Sequence, residues 1–232
     1  MKMVGLIGGT SWRSTIEYYK YINATINQVK GGKVNPPLTI YNLNQQEIHD
    51  LQQQNDWEKI TEIYVSVGKK LIATNVNALA FCANTPHKVY EKISTQLNIP
   101  FIHIADGIGT EARRRNHTKL GLIGTKFTMN EKFIKAYLKN NYSIEVKVPN
   151  DDQIEKLHRI VIDELTQGKF YKKSKIYTLQ VIKKLAKKEN LDGIILGCTK
   201  FPLLINQQDI ELRLYNSTEL HAKEIVNFIL DY

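Results

Sequence analysis

Cysteine is scarce in this chain of 232 residues, which carries only Cys82 and Cys198. A secreted scaffold held by disulfides would carry more cysteines in a shorter chain. Two cysteines 116 residues apart form no zinc pattern, and the six histidines show no metal-ligand spacing. These absences exclude a disulfide-rich fold and predict free thiols in a reducing compartment and a site without metal.

Long apolar runs are absent as well. No segment approaches the roughly 18 consecutive apolar residues that a membrane-spanning helix needs. The N-terminal residues lack the basic region, apolar core and small-residue cleavage site of a signal peptide. We therefore expect a globular, cytoplasmic protein that does not engage a membrane.

Positive charge is in excess, with 32 Lys and Arg against 23 Asp and Glu. Much of the excess lies in a segment where apolar residues recur at helical spacing, which predicts an amphipathic helix with a solvated basic face. No nucleic-acid-binding motif accompanies these charges, so we expect a small anionic substrate and no nucleic acid. The lysines concerned are Lys169, Lys172, Lys173, Lys175, Lys183, Lys184, Lys187 and Lys188.

Short apolar runs alternate with helical patterns, which predicts an α/β fold with mostly parallel sheets flanked by helices. The predicted strands are Val4–Ile7, Leu38–Tyr41, Ala78–Phe81, Phe101–Ile104, Leu120–Ile123, Ile144–Val148 and Gly193–Leu196. The predicted helices include Ser14–Val29, Trp57–Ala73, Glu131–Leu138, Ile154–Leu165, Lys175–Lys188 and Ser217–Leu230.

An internal repeat indicates two similar lobes. The segment Gly5–Gly8 recurs as Gly121–Gly124, and the same offset of 116 residues carries Cys82 onto Cys198. We predict a first lobe over residues 1–115, a second over 116–215, and a C-terminal helix over 216–232 that packs back on the first lobe. A two-lobed enzyme of this kind places its ligand in the cleft between the lobes, at the carboxyl ends of the strands.

Small polar residues follow the two repeated strands. Gly8-Gly9-Thr10-Ser11 ends the first, and Gly124-Thr125 with Thr128 ends the second. Glycines let the backbone approach a ligand, and amides at a helix start bind anions. The spacing is not that of a dinucleotide-binding fingerprint, and helix capping explains the same residues equally well.

Each cysteine also follows a predicted strand. Cys82 precedes Ala83-Asn84-Thr85-Pro86, and Cys198 stands between Gly197 and Thr199-Lys200. Thiolate is the reactive form of cysteine, and a nearby cation or helix start lowers the thiol pKa. A buried cysteine can equally be a small hydrophobe, and Asn84 or Thr85 can be helix caps. His87, His103 and His221 are interpreted as structural histidines.

With these motifs in view, the chain resembles the aspartate/glutamate racemase family nearly end to end, and in particular its aspartate-type and broad-specificity members. The resemblance implies two pseudo-symmetric lobes, no cofactor and no metal, and homodimers by analogy. It implies one acid/base residue from each lobe on opposite faces of the substrate Cα. Substrate-binding roles are carried over to Thr10, Gln52, Asn84, Thr85, Thr125, Thr128 and Thr199.

The sequence departs from the family pattern in three places. The first acid/base residue normally stands directly before the Asn-Thr pair, where this chain has Ala83. Alignment on the Asn-Thr pair places the first acid/base position at Ala83, whereas the repeat at an offset of 116 residues places it at Cys82. Both positions stay candidates. Lys200 replaces the usual Glu or His and could modulate Cys198, and Asn216 replaces an aspartate.

The sequence thus predicts a cofactor-independent amino-acid racemase acting on aspartate, glutamate or a related amino acid, with Cys198 as an acid/base residue. One alternative is a one-sided Cys-dependent decarboxylase, or another enzyme using carbanion chemistry. A second alternative is an inactive relative that only binds an amino acid.

Overall fold

The computed structural model describes residues 1–231. Its strands are β1 (Val4–Gly8), β2 (Leu38–Asn42), β3 (Ala78–Phe81), β4 (Phe101–Ile102), β5 (Lys119–Ile123), β6 (Glu145–Lys147), β7 (Gly193–Leu196) and β8 (Arg213–Asn216). Its α-helices are α1 (Trp12–Lys30), α2 (Gln45–Gln53), α3 (Trp57–Ile72), α4 (Tyr90–Ser94), α5 (Ile104–Arg114), α6 (Lys126–Asn130), α7 (Phe133–Tyr142), α8 (Asp151–Arg159), α9 (Lys172–Glu189), α10 (Phe201–Leu204) and α11 (Ser217–Leu230).

The strands form two four-stranded sheets with the same topology. The first has the order β2-β1-β3-β4 and the second the order β6-β5-β7-β8, and every pair of neighbouring strands is parallel. In each sheet the chain leaves the first strand to one side and returns on the other. The two-lobed α/β fold that the sequence predicted is confirmed, with helices between successive strands.

The chain divides into two compact units. The first comprises Met1–Ile104 and the chain from His221 onward, and the second comprises Ala105–Leu220. The boundary differs from the one placed after residue 115, because α5 contributes to the second unit. In that unit the hydroxyls of Tyr137 and Tyr142 donate to Asp106 Oδ1 at 2.8 and 2.9 Å.

The first unit has a core on each face of its sheet, because side chains alternate along a strand. Ile7, Leu79 and Phe81 face one core cluster, which includes Tyr64 of α3. Leu6, Ala80 and Cys82 are among the residues that face the other. This second cluster is completed by α1 residues Tyr18, Ile22 and Ile26 and by α11 residues Ala222, Ile225, Val226 and Ile229.

The second unit packs its sheet against an amphipathic α9. Val181, Ile182 and Leu185 of this helix are buried. The helix packs closely on β5, where a Cβ on Gly121 would lie 3.3 Å from Leu185 Cδ2. Lys172, Lys173, Lys183, Lys184, Lys187 and Lys188 are exposed, as expected for a solvated basic face.

Several element boundaries differ from the sequence expectations. The helix expected over 131–138 is α7, which begins at Phe133 and ends at Tyr142, and a separate short helix, α6, precedes it and ends at Asn130. The helix expected over 154–165 becomes a wider π-turn at Ile160–Glu164. The strand expected over 101–104 ends at Ile102 because α5 begins at Ile104. Strand β8 and helix α2 were not predicted: β8 reads Arg-Leu-Tyr-Asn and α2 is mostly polar, so neither has a strong apolar pattern.

Candidate active site

The candidate motifs all follow the two central strands of a sheet. In the first unit they follow β1 and β3, which pair with each other, and in the second they follow β5 and β7, which pair in the same way. Between these two strands the order in which the chain adds strands to the sheet reverses, from one side of the first strand to the other. Open α/β sheets bind ligands at this point, outside the carboxyl ends of the strands.

The turn after β1 is tightly built. Gly9 has a φ of +90°, and a Cβ there would lie 2.2 Å from the backbone nitrogen of Leu43, so only glycine fits. Its N–H donates to Thr15 Oγ1 at 3.1 Å, which turns the loop into α1. Ser11 makes no capping hydrogen bond, and Ser14 donates to the Cys82 carbonyl at 2.6 Å. The side chain of Thr10 is 7% exposed and its hydroxyl lies 3.0 Å from that of Tyr64.

The loop after β3 separates Cys82 from Ala83. Cys82 is 2% exposed and packs among apolar side chains of the second core cluster. Burial raises the pKa of this thiol far above its usual range. Ala83 is partly exposed, as is Thr85. Of the two candidates for the first acid/base position, Ala83 is therefore the one that is partly exposed after β3, and it carries no titratable group. Cys82 lies in the core.

His87 braces this loop. Its Nδ1 lies 3.1 Å from the Ala83 carbonyl and 3.2 Å from that of Asn84, and its Nε2 accepts from the Ile104 N–H at 3.0 Å. Nδ1 therefore carries the proton and the ring is neutral. Burial, with a smaller contribution from His221, lowers the pKa of His87. In His221 the nitrogen roles are reversed: Nε2 donates to the Ile102 carbonyl at 3.0 Å and Nδ1 lies 2.8 Å from the Tyr18 hydroxyl. The structural interpretation of both histidines therefore agrees with the geometry.

The turn after β5 carries two hydroxyls. Thr125 Oγ1 caps α6 by accepting from the Thr128 N–H at 3.3 Å and lies 3.0 Å from Thr128 Oγ1. Thr125 is therefore a helix cap, as one of the two interpretations of this pair expected. Thr128 is 2% exposed, whereas Thr125 is partly exposed.

The loop after β7 holds the second thiol. Cys198 and Thr199 are partly exposed, while Lys200 is only 7% exposed and its Nζ donates to Thr199 Oγ1 at 2.9 Å. Burial raises the pKa of Cys198, opposed by the Lys200 ammonium and by hydrogen bonds from the Lys200 and Phe201 amides. Burial wins, so the ligand-free thiol is protonated at neutral pH, and Lys200 acts in the direction expected of it.

The strand register decides which residue of β3 corresponds to Cys198. Ile7 pairs with Phe81, and its repeat partner Ile123 pairs with Leu196. The Cys82 N–H then donates to the Ile7 carbonyl at 3.0 Å, just as the Gly197 N–H donates to Ile123 at 2.8 Å. Cys82 therefore corresponds to Gly197, and Ala83 to Cys198. The 116-residue repeat pairs the two cysteines in sequence, but the hydrogen bonds do not.

Two further candidates lie outside these four loops. Gln52 is on α2, and its Nε2 is buried with no hydrogen-bond partner in residues 1–231. Asn216 ends β8, and its Oδ1 accepts from the Glu219 N–H at 3.4 Å. Neither contact assigns a catalytic role.

Metal ligands do not converge in the part of the chain that the structure describes. Within residues 1–231, no three His, Cys, Asp or Glu side chains are grouped so that they could hold an ion. Over the same residues, no helix is long and apolar enough to cross a bilayer.

Known proteins share both this sequence pattern and this fold. The sequence profile of the Asp/Glu/Hydantoin racemases matches residues 7–225, which is nearly the whole chain. The chain belongs to this family. The solved structure of a protein assigned to the Asp/Glu racemases, from Yersinia pestis, is 34% identical with a TM-score of 0.94, covering 99% of this chain and 100% of that one.

Other family members extend the comparison. An aspartate racemase homologue from Pyrococcus horikoshii is 35% identical with a TM-score of 0.88, over 99% of this chain and 100% of that one. The broad-specificity amino-acid racemase RacX of Bacillus subtilis is 22% identical over 99% of both chains. A glutamate racemase of Caldanaerobacter subterraneus is 28% identical over 57% of this chain, which spans only 46% of that protein.

Two residues hold the first-unit loops: Tyr64, whose role the sequence did not signal, and His87, which was interpreted as structural without its partners being known. In the sequence, Tyr64 is simply one residue of the predicted helix Trp57–Ala73. Its hydroxyl partner Thr10 lies 54 positions away. His87 was noted, but its three backbone partners follow from the fold alone. No local pattern signals either role.

Proposed function

We propose that this racemase-family protein exchanges the Cα proton of aspartate or glutamate, with the Cys198 thiol as its acid/base group and no cofactor. The observation that supports this most directly is the placement of Cys198, partly exposed at the carboxyl end of β7 where sheets of this kind bind ligands. Among the relatives named above, one is described as a broad-specificity amino-acid racemase, one is assigned to the Asp/Glu racemases and one is described as an aspartate racemase homologue.

The proposed chemistry is proton transfer at carbon. In one direction the Cys198 thiolate takes the Cα proton, and in the other the thiol returns one to the planar carbanion. Hydrogen-bond donors on the substrate carboxylate stabilise the charge that develops. We assign this role to Asn84, Thr85 and Thr199, with Thr10, Gln52, Thr125 and Thr128 as further substrate-binding residues.

Lys200 fits an anionic substrate in this proposal. Its ammonium is nearly buried beside Cys198 and touches Thr199, so a substrate carboxylate arriving at this loop would meet a cation. The same cation favours the thiolate, which counteracts burial during proton abstraction.

The test is incubation of the purified protein with L- or D-aspartate and glutamate in deuterated water, without added cofactor. Proton NMR measures loss of the Cα signal, and chiral chromatography measures inversion. The proposal expects exchange, and no exchange with any of the four amino acids would refute it. Activity that disappears with a chelator and returns with zinc would refute cofactor independence.

A one-sided enzyme is the second candidate, and the alanine that corresponds to Cys198 favours it. Ala83 cannot carry a proton, and Cys82 lies in the core with a raised pKa. An enzyme with Cys198 alone would protonate a single face, as after loss of carbon dioxide, or exchange one enantiomer with retention. Exchange without inversion, or release of carbon dioxide from an amino malonate, would favour this candidate.

Assembly and location remain predictions. We propose a homodimer in the cytoplasm, by analogy with the family. Light scattering of the full chain measures the mass of the particle in solution. A value equal to the chain mass of 26.7 kDa would contradict the dimer.

A further inference from the structure

We propose that Tyr64 is a positioning residue, whose phenol donates a hydrogen bond to Thr10 and so keeps the Thr10 hydroxyl hydrogen free for a substrate carboxylate. The inference rests on the proposed function for the identity of that ligand. The direction of the hydrogen bond is argued from the structure alone.

Both residues belong to the first unit. Thr10 follows β1 in the glycine turn, and Tyr64 lies on α3, with 3.0 Å between their hydroxyl oxygens. Within residues 1–231, each hydroxyl has the other as its only hydrogen-bond partner. The pair holds two hydrogens, and the bond between the oxygens uses one of them.

Burial decides which hydrogen is used. Tyr64 is fully buried, and its ring packs edge-on against Phe81 at 4.9 Å in an apolar cluster. If Thr10 were the donor, the phenol hydrogen would be left in that cluster without an acceptor, which costs its full desolvation penalty. Thr10 as a residue keeps 7% exposure, so it is the member of the pair that can meet a ligand. A phenol is also the more acidic of the two hydroxyls and hence the better donor.

Tyr64 is held in the form that donates. Burial raises its pKa well above the usual tyrosine range, and the hydrogen bond with Thr10 offsets only part of that rise. The phenol is therefore protonated at neutral pH.

The consequence is a hydroxyl with a defined orientation. In the proposed arrangement the Thr10 oxygen accepts from Tyr64 at 3.0 Å, the preceding Gly9 turn holds its backbone, and its hydrogen is not used by Tyr64. A hydroxyl oriented in this way offers a hydrogen bond to an acceptor, and a carboxylate is the acceptor that an acidic amino acid brings. Removing the phenol oxygen should loosen this orientation without removing the Thr10 hydroxyl.

The first experiment measures stability in the absence of any ligand. We expect Thr10→Val to lower the midpoint of chemical denaturation more than Tyr64→Phe does, because it leaves a buried phenol without an acceptor. Adding Tyr64→Phe to Thr10→Val should then recover part of the loss. The opposite order, with the double variant weaker than both single ones, would show that the buried phenol does not depend on Thr10 and would overturn the inference.

The second experiment measures binding of L-aspartate by calorimetry in a Cys198→Ala background, where no turnover interferes. We expect Thr10→Val to weaken binding by about 10-fold or more and Tyr64→Phe by about 3- to 10-fold. The double variant should bind no worse than Thr10→Val alone, since Tyr64 acts through Thr10.

The matched control is Tyr18→Phe. Tyr18 is another fully buried tyrosine of the same unit, and its hydroxyl lies 2.8 Å from His221 Nδ1, away from Thr10. It should lower stability but leave the affinity for L-aspartate unchanged. Equal affinities of the wild-type and Tyr64→Phe proteins would overturn the inference, whereas binding without Cα exchange would refute only the proposed function. Failure of the wild type to bind either L-aspartate or L-glutamate would overturn the carboxylate assignment, with the stability order still deciding the hydrogen bond.

Discussion

The loops after β3 and β7 share one backbone plan and differ in chemistry. Each follows the strand that pairs with the first strand of its unit, and the residue after the strand donates its N–H to the same carbonyl position. At the next position the second unit has Cys198 and the first has Ala83. Equivalent backbone positions thus carry a thiol in one unit and a methyl group in the other.

At the preceding position the first unit has the thiol, Cys82, and the second unit has a glycine, Gly197. A side chain at Gly197 would have to displace Leu122, because a Cβ would lie 2.7 Å from Leu122 Cδ1. At the equivalent position of the first unit, Cys82 places its side chain in a packed apolar cluster. One cysteine therefore contributes to the core and the other is partly exposed at the carboxyl end of β7, although the strands before them look alike.

The largest expected effect comes from removing the second-unit thiol. General acid/base catalysis is typically worth about 10²–10⁴-fold in rate, so Cys198→Ala should abolish measurable Cα exchange. Cys82→Ala is the matched control and should leave the rate nearly unchanged. An inactive Cys82→Ala protein beside an active Cys198→Ala protein would reverse the comparison. Retained binding of aspartate by Cys198→Ala would separate a catalytic loss from an unfolded protein.

The next effect tests whether the two loops can be made alike. Ala83→Cys places a thiol at the position equivalent to Cys198, and we expect inversion of aspartate to rise by about 10²-fold relative to the unmodified chain. Ala83→Thr should help less, because a hydroxyl is a far weaker base than a thiolate. The ratio of inversion to deuterium exchange is the measurement. An unchanged ratio in Ala83→Cys, with Cys198→Ala still inactive, would favour the one-sided enzyme.

A smaller effect is expected in the labelling rates of the two thiols. Burial raises the pKa of both, so the thiolate fraction and the rate of alkylation should increase as the pH rises through and above about 8.5. Cys198 should react first, by about 10-fold or more, because it is partly exposed whereas Cys82 is not. Peptide mass spectrometry after limited iodoacetamide treatment gives the ratio. Faster labelling of Cys82 would contradict its assignment to the core.

The smallest effect concerns Lys200, for which the first unit has Thr85 at the equivalent position. The Lys200 ammonium lowers the pKa of Cys198, so Lys200→Met should raise that pKa further. At pH 8 the thiolate fraction falls, and alkylation should slow by about 3-fold. Lys200→Arg should keep the wild-type rate. Lys126→Met removes an exposed lysine paired with Glu155 and serves as the control. Faster alkylation in Lys200→Met would show that the cation does not stabilise the thiolate.

The sequence by itself determined the fold class and most of the strands. Apolar runs of four to five residues separated by amphipathic helices are local signals, and β1, β3, β5 and β7 each appear where such a run was found. It also located the four polar loops, because glycines, hydroxyls and thiols directly after a strand are visible without the fold. Elements with weak patterns, such as β8 and α2, were missed for the same reason.

Only the tertiary structure decided which residues are equivalent and which are buried. Two segments at an offset of 116 residues predicted that Cys82 matches Cys198, but pairing between β1 and β3 and between β5 and β7 shifts that match to Ala83. Strand register is set by hydrogen bonds between residues about 75 positions apart, and a shift of one residue turns a side chain to the opposite face. The burial of Lys200 and the contact of Tyr64 with Thr10 likewise depend on segments brought together by folding, so no local pattern could contain them.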